Sequence, residues 1–344
     1  MSDRGVGGEG PGRHASVASA ASSHSRLEAS VATSPNGIVT FDANSRITAW
    51  NKGAAEIFAR SEEEALGTPI QALIAESDRA QVRECIARVL AGEAPGYEAV
   101  ELNALRSTGE AFPVEIHWSR WQERDEMHFG AIVRDVTEKR RERDALYRLA
   151  NYDPLTGLPN RNLLARRITD ALSSDTPLAL IATGLDGFSD INNTLGHTVG
   201  DGVLRLAAER VRGTVPDSGI VARIGDDRFA TLLPGETDPQ RVSEIASDIN
   251  GALGRSIVAD GHEVSISGSG GMAMAPEHGR SVDDIIASAS LALFQARNEG
   301  PGGIFMYAPA LKAAAVARRM HDAELHRALE REEFKLVYQP QVRL

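Results

Sequence analysis

The sequence predicts an α+β chain of two domains joined by a helix. Three stretches point there. Gly37–Trp50 gives strand, turn and strand, followed by short helices and three more strand candidates. Thr137–Asn151 is a charge-dense helical stretch. Leu178–Leu185 is a continuous apolar strand, with a hairpin downstream at Gly219–Pro234. At 344 residues the chain has room for two ordinary domains and tails.

Composition narrows the function classes. A hydrophobic content of 42% with 25% charged residues is that of a globular protein. The formal net charge of −11 argues against a nucleic-acid surface, because a phosphate backbone wants a concentrated basic patch. No apolar run approaches the ~20 residues needed to span a bilayer, and the N-terminus lacks a signal-peptide core. Cys85 is the only cysteine, so no intrachain disulfide forms and a reducing cytoplasm fits.

Residues 1–25 carry almost no large apolar side chains and cannot offset their ordering entropy by burial; a disordered tail is expected. A domain follows over residues 26–137. Asn51–Phe58 and Ser61–Leu66 form short helices, the second with Ser61 as N-cap and Glu64 at the capping-box position. Ser77–Gly92 is a longer helix with Val82, Cys85, Ile86, Val89 and Leu90 on one side, and Cys85 is a buried helix position. Tyr97–Leu105, Ala111–Trp118 and Phe129–Val133 are the strand candidates. This order resembles a PAS domain, with Asp42 before the turn, the Trp50-Asn51 pair, Gly67 and the terminal Asp135-Val136-Thr137 in support. Its ligand is not indicated. The long helix contains no His, which speaks against haem, and Cys85 lies in Arg-Glu-Cys-Ile rather than the context of a flavin-reactive cysteine. A small-molecule pocket and plain dimerisation both stay open. His117 and His128, flanking a hairpin, read as surface residues.

Residues 138–151 form a signalling helix, with Thr137 as N-cap and a narrow apolar stripe of Val136, Leu146, Leu149 and Ala150. The stripe fits either a solvated linker or a short parallel coiled coil. The coiled coil is preferred, and with it a homodimer through the PAS domain and this helix.

The second domain covers residues 152–310. It opens with Asp153-Pro154-Leu155-Thr156-Gly157-Leu158-Pro159-Asn160-Arg161. After the apolar strand comes Asp186-Gly187-Phe188, then Asn192, Gly196-His197 and Gly200-Asp201; a helix at Val203–Val211 follows. The hairpin pairs Ile220–Ile224 with Phe229–Leu233 across a turn that tolerates positive φ. A helix at Gln240–Leu253, a strand at Ser265–Ala273 and a helix at Ser281–Arg297 complete the pattern. These ordered motifs resemble the GGDEF family, whose members make cyclic di-GMP from two GTP molecules. The whole chain then looks like a PAS domain (antiparallel sheet with short helices) joined by a signalling helix to a GGDEF/nucleotidyl-cyclase-like α/β domain, whose implied fold is a central mixed sheet with flanking helices.

The resemblance also implies a site, and that site is degenerate. The family hairpin R-x-G-G-[DE]-E-F reads here Arg223-Ile224-Gly225-Asp226-Asp227-Arg228-Phe229. The second Gly has become Asp226, which would crowd phosphate oxygens, and the Glu has become Arg228, which neither accepts a proton nor binds a metal. The family's first metal-binding Asp falls on Gly184. Asp227 survives as a metal ligand, and Asp186, two residues on and returned to the same face by strand alternation, is a second candidate. Asn192 and Asp201 match the guanine-reading positions; the alternative is a turn Asn and a helix-capping Asp. Arg297 replaces a phosphate-contacting Lys, Pro301 replaces a second basic residue, and the product-inhibition motif would fall on Pro216 and Gly219, which cannot form it. Losing a ligand and the hairpin acid together removes groups each worth about a hundredfold or more in rate. The expectation is therefore a silent cyclase, with Mg2+ and GTP left open as ligands. A weak diguanylate cyclase using Asp227 and Asp186 and a scaffold without nucleotide are the alternatives.

Residues 311–344 read as a linker helix, Lys312–Glu330, and a strand at Phe334–Val342 whose Tyr338-Gln339-Pro340 resembles the start of an EAL phosphodiesterase domain. The chain then looks like the front part of a PAS–GGDEF–EAL protein, and Phe334–Leu344 is expected to be loose or docked opportunistically.

Overall fold

The computed structural model describes residues 29–92, 99–123, 126–331 and 333–335. The expected tail and most of the Phe334–Leu344 stretch lie outside the described residues. The chain divides into two compact units between Asp144 and Ala145.

The first unit is a five-stranded antiparallel sheet in the order β2-β1-β5-β4-β3, formed by β1 (Gly37–Phe41), β2 (Ile47–Trp50), β3 (Val100–Leu105), β4 (Ala111–Glu123) and β5 (Glu126–Asp135). Alternation along β1 buries Val39 and Phe41 beneath short helices. In the β1–β2 turn, one oxygen of Asp42 accepts the N–H groups of Asn44 and Arg46. Asn51 caps α1 (Lys52–Phe58) and ties it to β1: Oδ1 accepts from Ala54 N and Ile38 N at 2.8 Å each. Helix α2 (Glu62–Ala65) carries the capping box of Ser61 and Glu64 that the sequence indicates. An aromatic cluster of Phe41, Trp118 and Phe129 on one side, and Trp50, Phe58 and Phe112 on the other, fills the core.

Boundaries differ from the sequence reading at the long helix and at two strands. The long helix α3 (Arg79–Ala91) starts two residues later than Ser77, after a 3-10 turn. Asp78 is turned away to accept the N–H of Asn103 at 2.6 Å. Strands β4 and β5 run on to Glu123 and Glu126, because ladder hydrogen bonds continue where side chains are no longer apolar. There His128 stacks on Trp121, while His117 lies 3.5 Å from Glu115. Helix α4 (Thr137–Asn151) is not capped by Thr137: Asp135 Oδ1 accepts the Thr137 N–H at 2.8 Å, and Thr137 Oγ1 is buried without a partner. Cys85 is buried on α3, and burial pushes its thiol pKa up.

The second unit is built on a mixed sheet in the order β12-β11-β6-β8-β7. Its strands are β6 (Leu178–Asp186), β7 (Ile220–Arg223), β8 (Arg228–Pro234), β11 (Ser267–Ala275) and β12 (Ile304–Met306), of which β12 runs parallel to β11 and the others pair antiparallel. Central β6 is buried on both faces, as its unbroken apolar run requires. One face packs on α7 (His197–Thr214) and α8 (Pro239–Leu253), the other on α5 (Arg161–Ser173) and α9 (Val282–Glu299). Helix α6 (Phe188–Leu195) follows β6 directly. A small hairpin of β9 (Ile257–Ala259) and β10 (His262–Val264), unforeseen in the sequence, precedes β11, which begins at Ser267 rather than Ser265. The last helix, α10 (Pro309–Glu330), exposes Val316, Met320, Leu325 and Leu329.

Candidate functional site

The β7–β8 hairpin forms where the sequence places it, but its turn is closed by other means. No residue from Ile224 to Asp227 adopts a positive φ. Arg223 holds the turn instead: its Nη2 donates to the Asp226 carbonyl at 2.9 Å, while Nη1 lies 3.1 Å from each carboxylate oxygen of Asp153. Asp153 belongs to the motif that opens this unit and also accepts from Thr156 N and Oγ1, at 2.8 and 2.7 Å. Burial works against its charge, yet the Thr156 hydrogen bonds and the Arg223 guanidinium hold its pKa below the usual carboxylate range.

Across the sheet, Gly184 faces Arg228 on β8 and Ser269 on β11, and Asp186 faces Ser267. Partners directly opposite share a face, so Gly184, Asp186, Ser267, Ser269 and Arg228 all point toward α9. Asp186 is fully engaged there. It accepts from Ser267 Oγ and Ser269 Oγ at 2.9 Å and from Gly302 N at 3.0 Å.

Arg297, near the end of α9, completes the cluster. Its Nη2 donates to Asp227 Oδ2 at 2.7 Å and to the Leu185 carbonyl at 2.9 Å, and Nε lies 3.4 Å from Asp186 Oδ1. A methyl group on Gly184 would run into this guanidinium, with Cζ only 2.7 Å away. Three of the residues singled out in the sequence, Asp186, Asp227 and Arg297, are thus brought together. Arg228 stands on the same face but lines a separate cleft of about 370 Å³ with Arg161 and Asp283. Gly225 and Asp226 lie in the turn, and Phe229 is fully buried beneath it.

This donor set does not fit a divalent cation. Such an ion takes six or more oxygen ligands, chiefly carboxylates. Gly184 offers none, Asp227 is bound to a guanidinium, and Asp186 is committed to two hydroxyls and an amide. Among the described residues no cluster of three metal-binding side chains occurs.

Asn192 and Asp201 lie elsewhere, within α6 and α7. Neither is the turn residue or cap of the bland alternative. Asn192 Oδ1 is buried with no hydrogen-bond partner. It lies against Gly200, where any Cβ would strike it. Pro216 and Gly219, where an inhibitory motif would fall, line a cavity of about 320 Å³ with Tyr152, Arg212 and Asp217.

The sequence reading missed Ser267, Ser269 and the tie between Asp153 and Arg223. The last pair was visible as two motif residues, but nothing local signals that they meet.

Comparison with known proteins agrees with this architecture. Residues 31–141 match the family model described as PAS fold, and residues 150–302 match the one described as Diguanylate cyclase, GGDEF domain. The chain carries a PAS domain followed by a GGDEF domain. An uncharacterized protein of Sinorhizobium fredii, y4lL, is 32% identical over 222 residues, covering 62% of this chain and 27% of that protein. The bifunctional diguanylate cyclase/cyclic di-GMP phosphodiesterase MucR of Pseudomonas aeruginosa is 33% identical over 201 residues, 57% of this chain and 29% of MucR. The solved GGDEF domain of TpbB (YfiN) from Pseudomonas aeruginosa is 33% identical, with a TM-score of 0.45, covering 48% of this chain and 98% of that one. The chain thus spans under a third of the length of these two curated relatives. Among the described residues no helix is long and apolar enough to cross a membrane.

Proposed function

We propose that this chain is a cytoplasmic cyclic-di-GMP signalling protein whose PAS domain senses and whose GGDEF domain relays without joining GTP molecules. One observation carries the reading: the surviving hairpin carboxylate, Asp227, is bound to Arg297 beside Gly184. Attack of a 3′-hydroxyl on an α-phosphate builds negative charge that must be neutralised in place. Mg2+ supplies that neutralisation where it is bound, and the residues here do not form its cage. Arg228 adds a positive charge where an acid would serve the chemistry, and it lines a cleft together with Arg161.

The relay passes through α4. Leu146 and Leu149 on that helix are 67% and 69% exposed, which suits pairing with a second copy of the chain. The output partner is an EAL phosphodiesterase, in this chain's continuation or in another protein. Incubating the protein with GTP and Mg2+ or Mn2+ should yield no cyclic di-GMP above background. Turnover near that of an intact cyclase would overturn the reading.

A second reading, GTP binding without turnover, has its own support. Asn192 Oδ1 lies buried against Gly200 without a donor, a costly arrangement that turning the side chain toward a guanine N–H would relieve. GTP calorimetry separates it from a scaffold that takes no nucleotide.

A further inference from the structure

Three oxygen acceptors converge at one point in this unit: the carboxylates of Asp186 and Asp227 and the main-chain carbonyl of Leu185. They come from the end of β6 and from the hairpin turn. Oxygens gathered from separate elements around one spot are what a hard cation recruits. In this protein the spot is filled by a cation that belongs to the chain. The Arg297 guanidinium reaches all three, and it occupies the volume that any side chain on Gly184 would need.

We propose that Arg297 is the resident cation of this site, standing in for a divalent ion and excluding it. A guanidinium stays charged across the whole working pH range and spreads its donors in a plane, so one group can bind both carboxylates and the carbonyl. It is covalently tethered, so it competes with a dissolved ion at a high effective concentration. The side chains of Asp186 and Asp227 are 11% and 26% exposed against 35% for Arg297, so water screens the pair in part, least on the Asp186 side. The glycine at 184 and the arginine at 297 are therefore one adaptation: the first makes the room that the second fills. The proposal deepens the reading of a silent GGDEF domain and rests on it for the choice of ion. Its test uses no nucleotide, so the two can fail separately.

The test is Mn2+ titration of the full chain, read by the electron paramagnetic resonance of the free ion. The unaltered protein should leave Mn2+ free at this site. Arg297→Ala should tighten binding by about tenfold or more, since it strips the counter-charge from two shielded carboxylates. Adding Asp227→Asn to Arg297→Ala should remove that gain, which separates this site from diffuse binding to an acidic surface. Arg297→Met keeps the aliphatic stem without the charge and should behave as Arg297→Ala does, so a packing defect in one variant does not decide the matter. Equal Mn2+ affinity in the unaltered protein and Arg297→Met, whether tight or absent in both, would overturn the proposal. So would a gain that persists after Asp227→Asn.

Discussion

Asp153 and Arg223 lie 70 residues apart and meet with Nη1 of the arginine 3.1 Å from each carboxylate oxygen. The pair joins the motif that opens the GGDEF domain to the hairpin that defines it. Both side chains are largely buried, at 17% and 14% exposure. Removing one partner strands the other's charge in a poorly hydrated place. Arg223→Ala should therefore destabilise the second unit by roughly 3 kcal/mol, as breaking a buried pair does. Arg223→Lys should recover only part of that, because an ammonium cannot bond Asp153 and the Asp226 carbonyl as a fork does. Urea melts followed by hydrogen exchange at β7 and β8 would check both.

The same carboxylate sets a pH dependence. Asp153 has its pKa lowered in the folded state, so the unfolded chain binds its proton more readily. Its contribution is complete above the unfolded value of about 3.9 and is lost as pH falls through the lower folded value. The stability advantage of the unaltered protein over Asp153→Asn should be steady from neutrality to about pH 5 and shrink below about pH 4. Paired denaturant melts across that range would show it, and an advantage growing toward acid would contradict it.

How much of this was legible in the sequence follows from range. The capping box at Ser61, the apolar run of β6 and the hairpin flanking Gly225 are local patterns, and each forms where it was read. The engagement of Arg297 was not legible. It depends on β11 pairing with β6 so that Ser267 faces Asp186 and Ser269 faces Gly184, a register written in no single stretch. A glycine at 184 reads in sequence as a lost ligand; only the fold shows it as room for a guanidinium. The turn at Asp226 was read for its backbone freedom, while the structure holds it by Arg223 from outside the turn.

In the PAS domain, Asn51 should prove to be a structural keystone. Its Oδ1 takes two backbone N–H groups, and Nδ2 donates to the carbonyls of Val31 and Asn36 at 2.9 and 3.0 Å. Asn51→Ala removes a helix cap and leaves further main-chain groups unpaired, for a loss of about 2–3 kcal/mol. A thermal melt followed by Trp fluorescence would report it, since Trp50 is the neighbouring residue and is buried in this core.

Gly271 on β11 lies against the backbone of α9, where a Cβ would come within 2.6 Å of Leu293 Cα. Neither side can yield, because one is a central strand and the other a helix main chain. Gly271→Ala should cost about 3 kcal/mol or more, at or beyond the upper end for overpacking. Soluble yield and urea midpoint measure this; a neutral result would mean that α9 is not held as closely as described.

Asn192 and Gly200 give the sharpest test of nucleotide binding. If the unpaired Oδ1 of Asn192 reads a base, Asn192→Ala should weaken GTP by about 1–3 kcal/mol, the cost of one lost hydrogen bond in a shielded site. Gly200→Ala would push a methyl group into that same oxygen and displace it, so it should weaken GTP comparably although Gly200 contributes no side chain of its own. Isothermal calorimetry with GTP, and with ATP as control, would decide. Parallel losses for GTP alone assign the base-reading role to Asn192. Heat that is unchanged in both variants places any nucleotide elsewhere, and no heat in the unaltered protein favours the scaffold.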